Sequence, residues 1–241
     1  MPQPLRVPRL ILWFLPLAMM VIGTIGDAGA QAPAPAPIEG NVYTATYGEV
    51  MPTVTADGLA LLKRYGQATR KEDGNLRCEV VQRIGEPHQF VILAVWKDQA
   101  AFEAHGKSAI SMDMREKIAA IRNAPTDQRV HVALSVGPVE WKPVRGAVVV
   151  VTHVDVIPPR KDDGVAAVKQ LAEESRKGDG NLRFEVVQQT NRPNHFTVVE
   201  IWKNAKAMEA HSMAAPTREF RDKLAPASGA LYDERKYKLV E

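Results

Sequence analysis

Glu200, Trp202 and His211 have the types and spacing of a small proton-transfer site. They stand in Glu200-Ile-Trp202 and Glu209-Ala-His211. A histidine with a pKa near neutrality can remove a phenolic proton, a carboxylate can orient that histidine, and an indole can wall an aromatic pocket. Strand alternation puts Phe196, Val198, Glu200 and Trp202 on one face. A carboxylate on such a face is costly unless it is paired, set at a pocket, or protonated. Each residue also has a plainer reading. Glu200 could form a structural ion pair with Arg183 on the adjacent strand. His211 lies three positions after Met208 on a helical stripe, as His105 does after Phe102, which suits a buried, hydrogen-bonded core histidine. Trp96 and Trp202 could be packing residues.

Other chemistries find no support in the sequence. Glu209 and His211 are two apart on a helix and diverge, and the six histidines have no zinc spacing, so no metal site is expected. There is no glycine-rich dinucleotide fingerprint and no phosphate loop, so no cofactor is expected either. The single cysteine, Cys78, cannot form an internal disulfide and reads as a small buried hydrophobe. A net charge of +3, with basic and acidic residues interleaved, gives no nucleic-acid footprint.

The elements that must position these residues occur twice. Residues 42–105 align with 148–211 at a constant offset of 106, and 27 of the 64 pairs are identical. That period is the size of a whole small domain, which gives a first repeat over 41–142 and a second over 146–241. Each reads as strand, helix, strand, strand, helical region, strand, with closing strands expected at 130–141 and 231–240. This is the split βαβ order of a ferredoxin-like domain. Its helices cover one face of the sheet, and the other face is expected to pack on the second copy, making an α+β intramolecular dimer and a compact monomer. Ahead of the repeats, Arg6 and Arg9, an apolar run over 10–26 and Ala28-Gly29-Ala30 have the order of a signal peptide over 1–30, cleaved after Ala30. The 31–40 segment is a Pro/Ala linker. A periplasmic or secreted protein is expected. The alternative is an uncleaved anchor, since 17 apolar residues just reach the length of a membrane span.

Gly180-Asn-Leu-Arg-Phe-Glu-Val, Pro193-Asn-His-Phe, Glu200-Ile-Trp202, Glu209-Ala-His211, Phe220-Arg-Asp-Lys-Leu224 and Leu231-Tyr-Asp-Glu-Arg235 resemble the antibiotic biosynthesis monooxygenase family and its quinol-monooxygenase relatives. The resemblance covers nearly all of the second repeat. In the first it covers three strands and both helices, with no counterpart of Leu-Tyr-Asp-Glu-Arg expected in the last strand. It implies a dimeric α+β barrel and, for some members, oxygenation of phenols, quinols or anthrones by O2 without metal or flavin. On this reading His211 is the base, Glu200 orients it or the substrate, and Arg183 is the counter-charge. Substrate contacts are expected from Trp202, Arg183, Asn181, Tyr232, Trp96 and His105. The second repeat is taken as the active half, because Ala94 replaces Glu200 in the first. The rival readings are a non-catalytic module holding a hydrophobic small molecule between the repeats, and a duplicate with structural purpose alone.

Overall fold

The computed structural model describes residues 37–139 and 143–240. The expected signal peptide over 1–30, residues 31–36 of the expected linker and the expected end of a strand at Trp141 lie outside the described residues. The first repeat runs β1 (Val42–Glu49), α1 (Thr55–Thr69), β2 (Asn75–Arg83), β3 (Gln89–Trp96), α2 (Gln99–Lys107), α3 (Ala109–Ile121) and β4 (Asp127–Ser135). The second repeats this order as β5 (Val148–Asp155), α4 (Lys161–Ser175), β6 (Asn181–Gln189), β7 (His195–Trp202), α5 (Ala205–Ser212), α6 (Ala215–Leu224) and β8 (Asp233–Leu239).

Local chemistry sets these boundaries. Pro52 and Pro158 close β1 and β5 and open short 3-10 turns into α1 and α4. Asp98 and Asn204 cap α2 and α5, accepting from the amides of Ala101 at 2.7 Å and Ala207 at 2.9 Å. Gly74 and Gly180 enter β2 and β6 with φ of +78° and +80°, and a Cβ there would lie 2.5 Å from Ala101 Cβ or 2.8 Å from Ala207 Cβ. Only glycine satisfies both the left-handed turn and the helix packed against it.

The eight strands close into one barrel in the order β1-β3-β2-β8-β5-β7-β6-β4. The last strand of each repeat crosses to the other, β4 pairing with β6 and β8 with β2. The two seams share a register: His131 faces Gln189 as Tyr237 faces Arg83, positions related by the offset of 106. The repeats are thus a ferredoxin-like pseudo-dimer with no exposed sheet edge between them. One expectation is corrected here. β4 begins at Asp127, three residues before the apolar pattern, and Asp127 and Arg129 occupy the positions of Asp233 and Arg235. Asp127 pairs with Tyr47 as Asp233 pairs with His153, and each Asp bridges its Arg, at 2.8 and 2.7 Å. The first repeat therefore does have its counterpart of the Asp-x-Arg motif. Polar residues extend the strand because they pair at the barrel rim, where water reaches them.

The barrel separates two interiors. Between the repeats, Ala45, Val81, Val91, Leu93, Val149, Val151, Val199, Ile201 and Tyr237 form one cluster. Beside it lies a ring of four buried charges. Arg77 donates to both carboxylate oxygens of Glu185 at 3.0 and 2.6 Å, and Arg183 does the same to Glu79 at 2.8 and 2.6 Å. The duplicated Arg-x-Glu sequence makes each repeat supply the other's partner. The cavity left there is only about 20 Å³, room for a water molecule. Among the described residues, this cavity is smaller than a ring-sized hydrophobic ligand. The second interior lies outside the barrel, under the helices, and contains both tryptophan–histidine pairs.

Candidate active site

In the second repeat, β7 turns Glu200 and Trp202 toward α5, which presents His211. Trp202 Nε1 donates to Glu200 Oε2 at 2.8 Å, His211 Nε2 lies 3.3 Å from the same oxygen, and the imidazole stacks on the indole with centroids 4.4 Å apart. Burial pushes the Glu200 carboxyl up to about 8, with the Glu234 charge adding to the rise and the Trp202 hydrogen bond opposing it. Burial also lowers His211 to about 4, assisted by Arg221. Both shifts favour the uncharged forms, a carboxylic acid beside a neutral imidazole.

The first repeat builds a different constellation on the same frame. His105 stacks on Trp96 at 4.5 Å, and position 94 is alanine. Its carboxylate comes instead from Glu72, in the turn after α1, whose Oε2 is 2.6 Å from His105 Nδ1. On the other side of the ring, Tyr65 of α1 places its hydroxyl 2.8 Å from Nε2. An ionised Glu72 can only accept, so the proton belongs on Nδ1 and Nε2 accepts from the tyrosine hydroxyl. Burial raises the Tyr65 pKa. Tyr65 and His105 line a chamber of about 270 Å³ between the barrel and helices α1 to α3, together with Phe90, Ile92, Phe102 and Met114. Thr126, Gln128 and the exposed Arg115 also line it, the last held by the Gly106 carbonyl at 2.7 Å.

The corresponding space in the second repeat is packed. Val154, Leu171, Phe184, Phe196, Val198, Phe220 and Leu224 form one core cluster there. Four substitutions fill it: Gly48 becomes Val154, Cys78 becomes Phe184, Met114 becomes Phe220 and Thr126 becomes Tyr232. Phe184 meets His211 edge-on at 5.8 Å, on the ring that in the first repeat has Tyr65 as its partner. Gly178, at the position of Glu72, helps line an open surface hollow of about 570 Å³ that reaches Trp202 and His211, rimmed by Lys177, Lys203 and Lys206.

The structure unites the expected His211, Glu200 and Trp202, and sets Tyr232 close enough for its pKa to feel the Glu200 charge. Tyr232 also lies under the Arg221 guanidinium, 5.6 Å from ring centroid to Cζ. Arg183 is corrected: it is not the counter-charge of Glu200. In the ladder Phe184 faces Glu200 and Arg183 faces Ile201, so Arg183 points into the barrel and bonds Glu79. Asn181 secures the start of β6, its Nδ2 reaching the Arg183 carbonyl at 3.4 Å, as Asn75 does for Arg77 at 3.3 Å. Trp96 backs the His105 ring, and Cys78 is buried, its thiol pushed up to about 12 by desolvation. Sequence reasoning singled out neither Tyr65 nor Glu72 as a site residue. Both change in the second copy, to Leu171 and Gly178, in the same copy that gains Glu200. That linked exchange was the available signal.

A duplicated ferredoxin-like chain, closed into one barrel with a tryptophan-backed histidine under the helices of each half, belongs to the antibiotic biosynthesis monooxygenase family; the family's sequence profile matches residues 45–117 and 147–223. The Bacillus subtilis (strain 168) protein named "Putative monooxygenase YcnE" is 31% identical over 81 residues, covering 34% of this chain and 85% of that protein. Crystal structures with the same general designation share the fold. The one from Fusobacterium nucleatum subsp. nucleatum superposes with a TM-score of 0.76 at 16% identity, over 84% of this chain and 93% of that one. The one from Lactobacillus acidophilus NCFM gives 0.69 at 13%, over 84% and 95%.

Proposed function

We propose that this protein is an exported monooxygenase that oxygenates a small aromatic, quinol-like substrate with O2, and that the chamber of the first repeat receives the substrate. One observation carries the reading: an apolar chamber of about 270 Å³ has in its wall a buried histidine oriented by the half-buried carboxylate of Glu72. A ring-sized substrate fits a space of that order. His105 takes the acidic proton, and the resulting electron-rich anion delivers electrons to O2. For a hydroquinone, one oxygen atom enters the ring, the other leaves as water, and the substrate supplies all four electrons. Apolar walls keep water from the anion and from reduced oxygen. No cofactor takes part in this scheme. Membership of the family supports the reaction class, and the basic, apolar and small-residue order of residues 1–30 supports export.

A second reading puts the base at His211, favoured by Glu200 at 3.3 Å and by the surface hollow that reaches this imidazole. The test is O2 uptake by the purified protein with a panel of hydroquinones, catechols and anthrones, and mass spectrometry of ¹⁸O incorporation from ¹⁸O2. Uptake with one labelled oxygen in the product is expected. Saturable binding of the panel without oxygen consumption would make the protein a binding module.

A further inference from the structure

Resting on the reading of the first-repeat chamber, we propose that it recognises its substrate by a phenolic hydroxyl donated to Tyr65, and that the proton leaves along Tyr65 Oη and His105 Nε2, with Glu72 as the positioning residue. The hydrogen bonds already in place set the direction. Glu72 fixes the proton on Nδ1, so Nε2 accepts from the Tyr65 hydroxyl. The phenolic oxygen of Tyr65 has two lone pairs; the Thr69 hydroxyl can donate to one, which leaves the other for a group in the chamber that Tyr65 lines. A substrate O–H is the group that completes the chain. Two protons then each move one place. The substrate O–H bond breaks as a new Tyr65 O–H bond forms, and the original Tyr65 O–H bond breaks as an N–H bond forms on His105. The products are a phenolate, a restored Tyr65 hydroxyl and an imidazolium facing the Glu72 carboxylate. No electron is transferred in this step.

Two features favour a phenol over other ligands. Much of the lining is apolar, from Val50, Leu62, Phe90, Ile92, Phe102 and Met114, so a flat neutral ring is accepted without an unpaired charge. Arg115 also lines the chamber and is the cation there that can face a phenolate, while burial and Glu72 hold the Tyr65 pKa up, so Tyr65 passes the proton on rather than keeping the charge. The second repeat cannot make the same chain, because Leu171 and Gly178 stand where Tyr65 and Glu72 do.

The experiment compares p-nitrophenol, coloured when ionised, with nitrobenzene, which has no hydroxyl, by calorimetry and by absorbance against pH. The wild-type protein should bind the nitrophenol at least tenfold more tightly, and the bound nitrophenol should show its phenolate band at a pH where the free compound is mostly protonated. Tyr65→Phe, which keeps the ring, should reduce the preference toward onefold and remove the shift of the band. Glu72→Gln should keep most of the preference but move the band back to higher pH, which a merely structural glutamate would not do. Equal binding of the two probes, no binding of either, or a band unchanged in Tyr65→Phe would each overturn the proposal. Oxygen uptake is scored separately: a protein with the predicted preference and band shift that consumes no O2 keeps the phenol site and loses the oxygenase reading.

Discussion

His105 and His211 descend from one position in a duplicated unit, and both stack on a tryptophan, yet they are paired by different routes. His211 takes its carboxylate from the neighbouring strand, through Glu200, and sits against a filled core. His105 takes its carboxylate from a loop, through Glu72, keeps a tyrosine on its other nitrogen, and faces an open chamber. A buried imidazole needs polar partners, and two elements within reach can supply them, so the carboxylate could move between elements as long as one copy of it remained. What differs functionally is the space. Four larger side chains close one half, and four smaller ones leave the other open.

The comparison is tested most severely by turnover. If His105 is the base, His105→Ala should lower oxygen uptake by about 10² to 10⁴, the usual contribution of a positioned acid or base, while His211→Ala should leave it within tenfold. The reverse pattern would transfer catalysis to the second repeat. Equal losses with equal loss of stability would make both histidines core residues.

Where the halves are alike they should respond alike. Arg77→Met and Arg183→Met each remove the bidentate partner of a buried glutamate of the opposite repeat and leave two buried carboxylates to share one guanidinium, so each should destabilise the fold by about 3–5 kcal/mol. Denaturant unfolding measures both, and a cost confined to one of them would break the pseudo-symmetry of the barrel.

A pH effect should belong to the second repeat. Glu200 holds a proton in the folded state up to about 8 that the unfolded chain releases near the ordinary carboxylate value, so its contribution is complete at low pH and is lost as pH rises toward 8. His211 has the opposite sign, and its contribution is lost as pH falls from the ordinary histidine range toward about 4. From this pair stability should be flattest between about pH 4.5 and 6.5 and should fall toward pH 8 by up to about 1.4 kcal/mol per unit. Glu200→Gln should remove the alkaline slope. A slope that persists in that variant would place its origin elsewhere.

The smallest effect concerns the cavity. A Cβ added at Gly48 meets nothing within 4 Å, so Gly48→Val, copying Val154, should fold normally and partly fill the chamber. Affinity for a ring-sized phenol should drop by about tenfold, the order expected for a methyl-sized misfit in an apolar pocket, with the melting temperature unchanged or raised. Unchanged affinity would show that ligands bind elsewhere, with the hollow beside His211 the next place to look.

Much of this was legible in the sequence. The offset of 106 announced the duplication, the order of apolar runs and turns gave two ferredoxin-like units, and alternation along β7 put Glu200 and Trp202 on the face that meets His211. These are local or periodic properties, fixed by backbone geometry within a few residues. The tertiary structure alone decided the rest. Arg183 was assigned to Glu200 because they lie on adjacent strands, but the ladder register turns it to the opposite face, where its partner is Glu79, 104 residues away. β4 starts at polar Asp127 because it pairs at the barrel rim, which no apolar pattern reports. The chamber is a difference in volume summed over α1, α2, α3, β1, β3 and the entrance to β4, and no single stretch contains it. Tyr65, Glu72 and His105 are spread over 41 positions and converge only because helix α1 packs across the sheet that carries Trp96. Identical residues can therefore mark a matched position in both halves, while packing between distant elements decides which half encloses an apolar chamber under its helices.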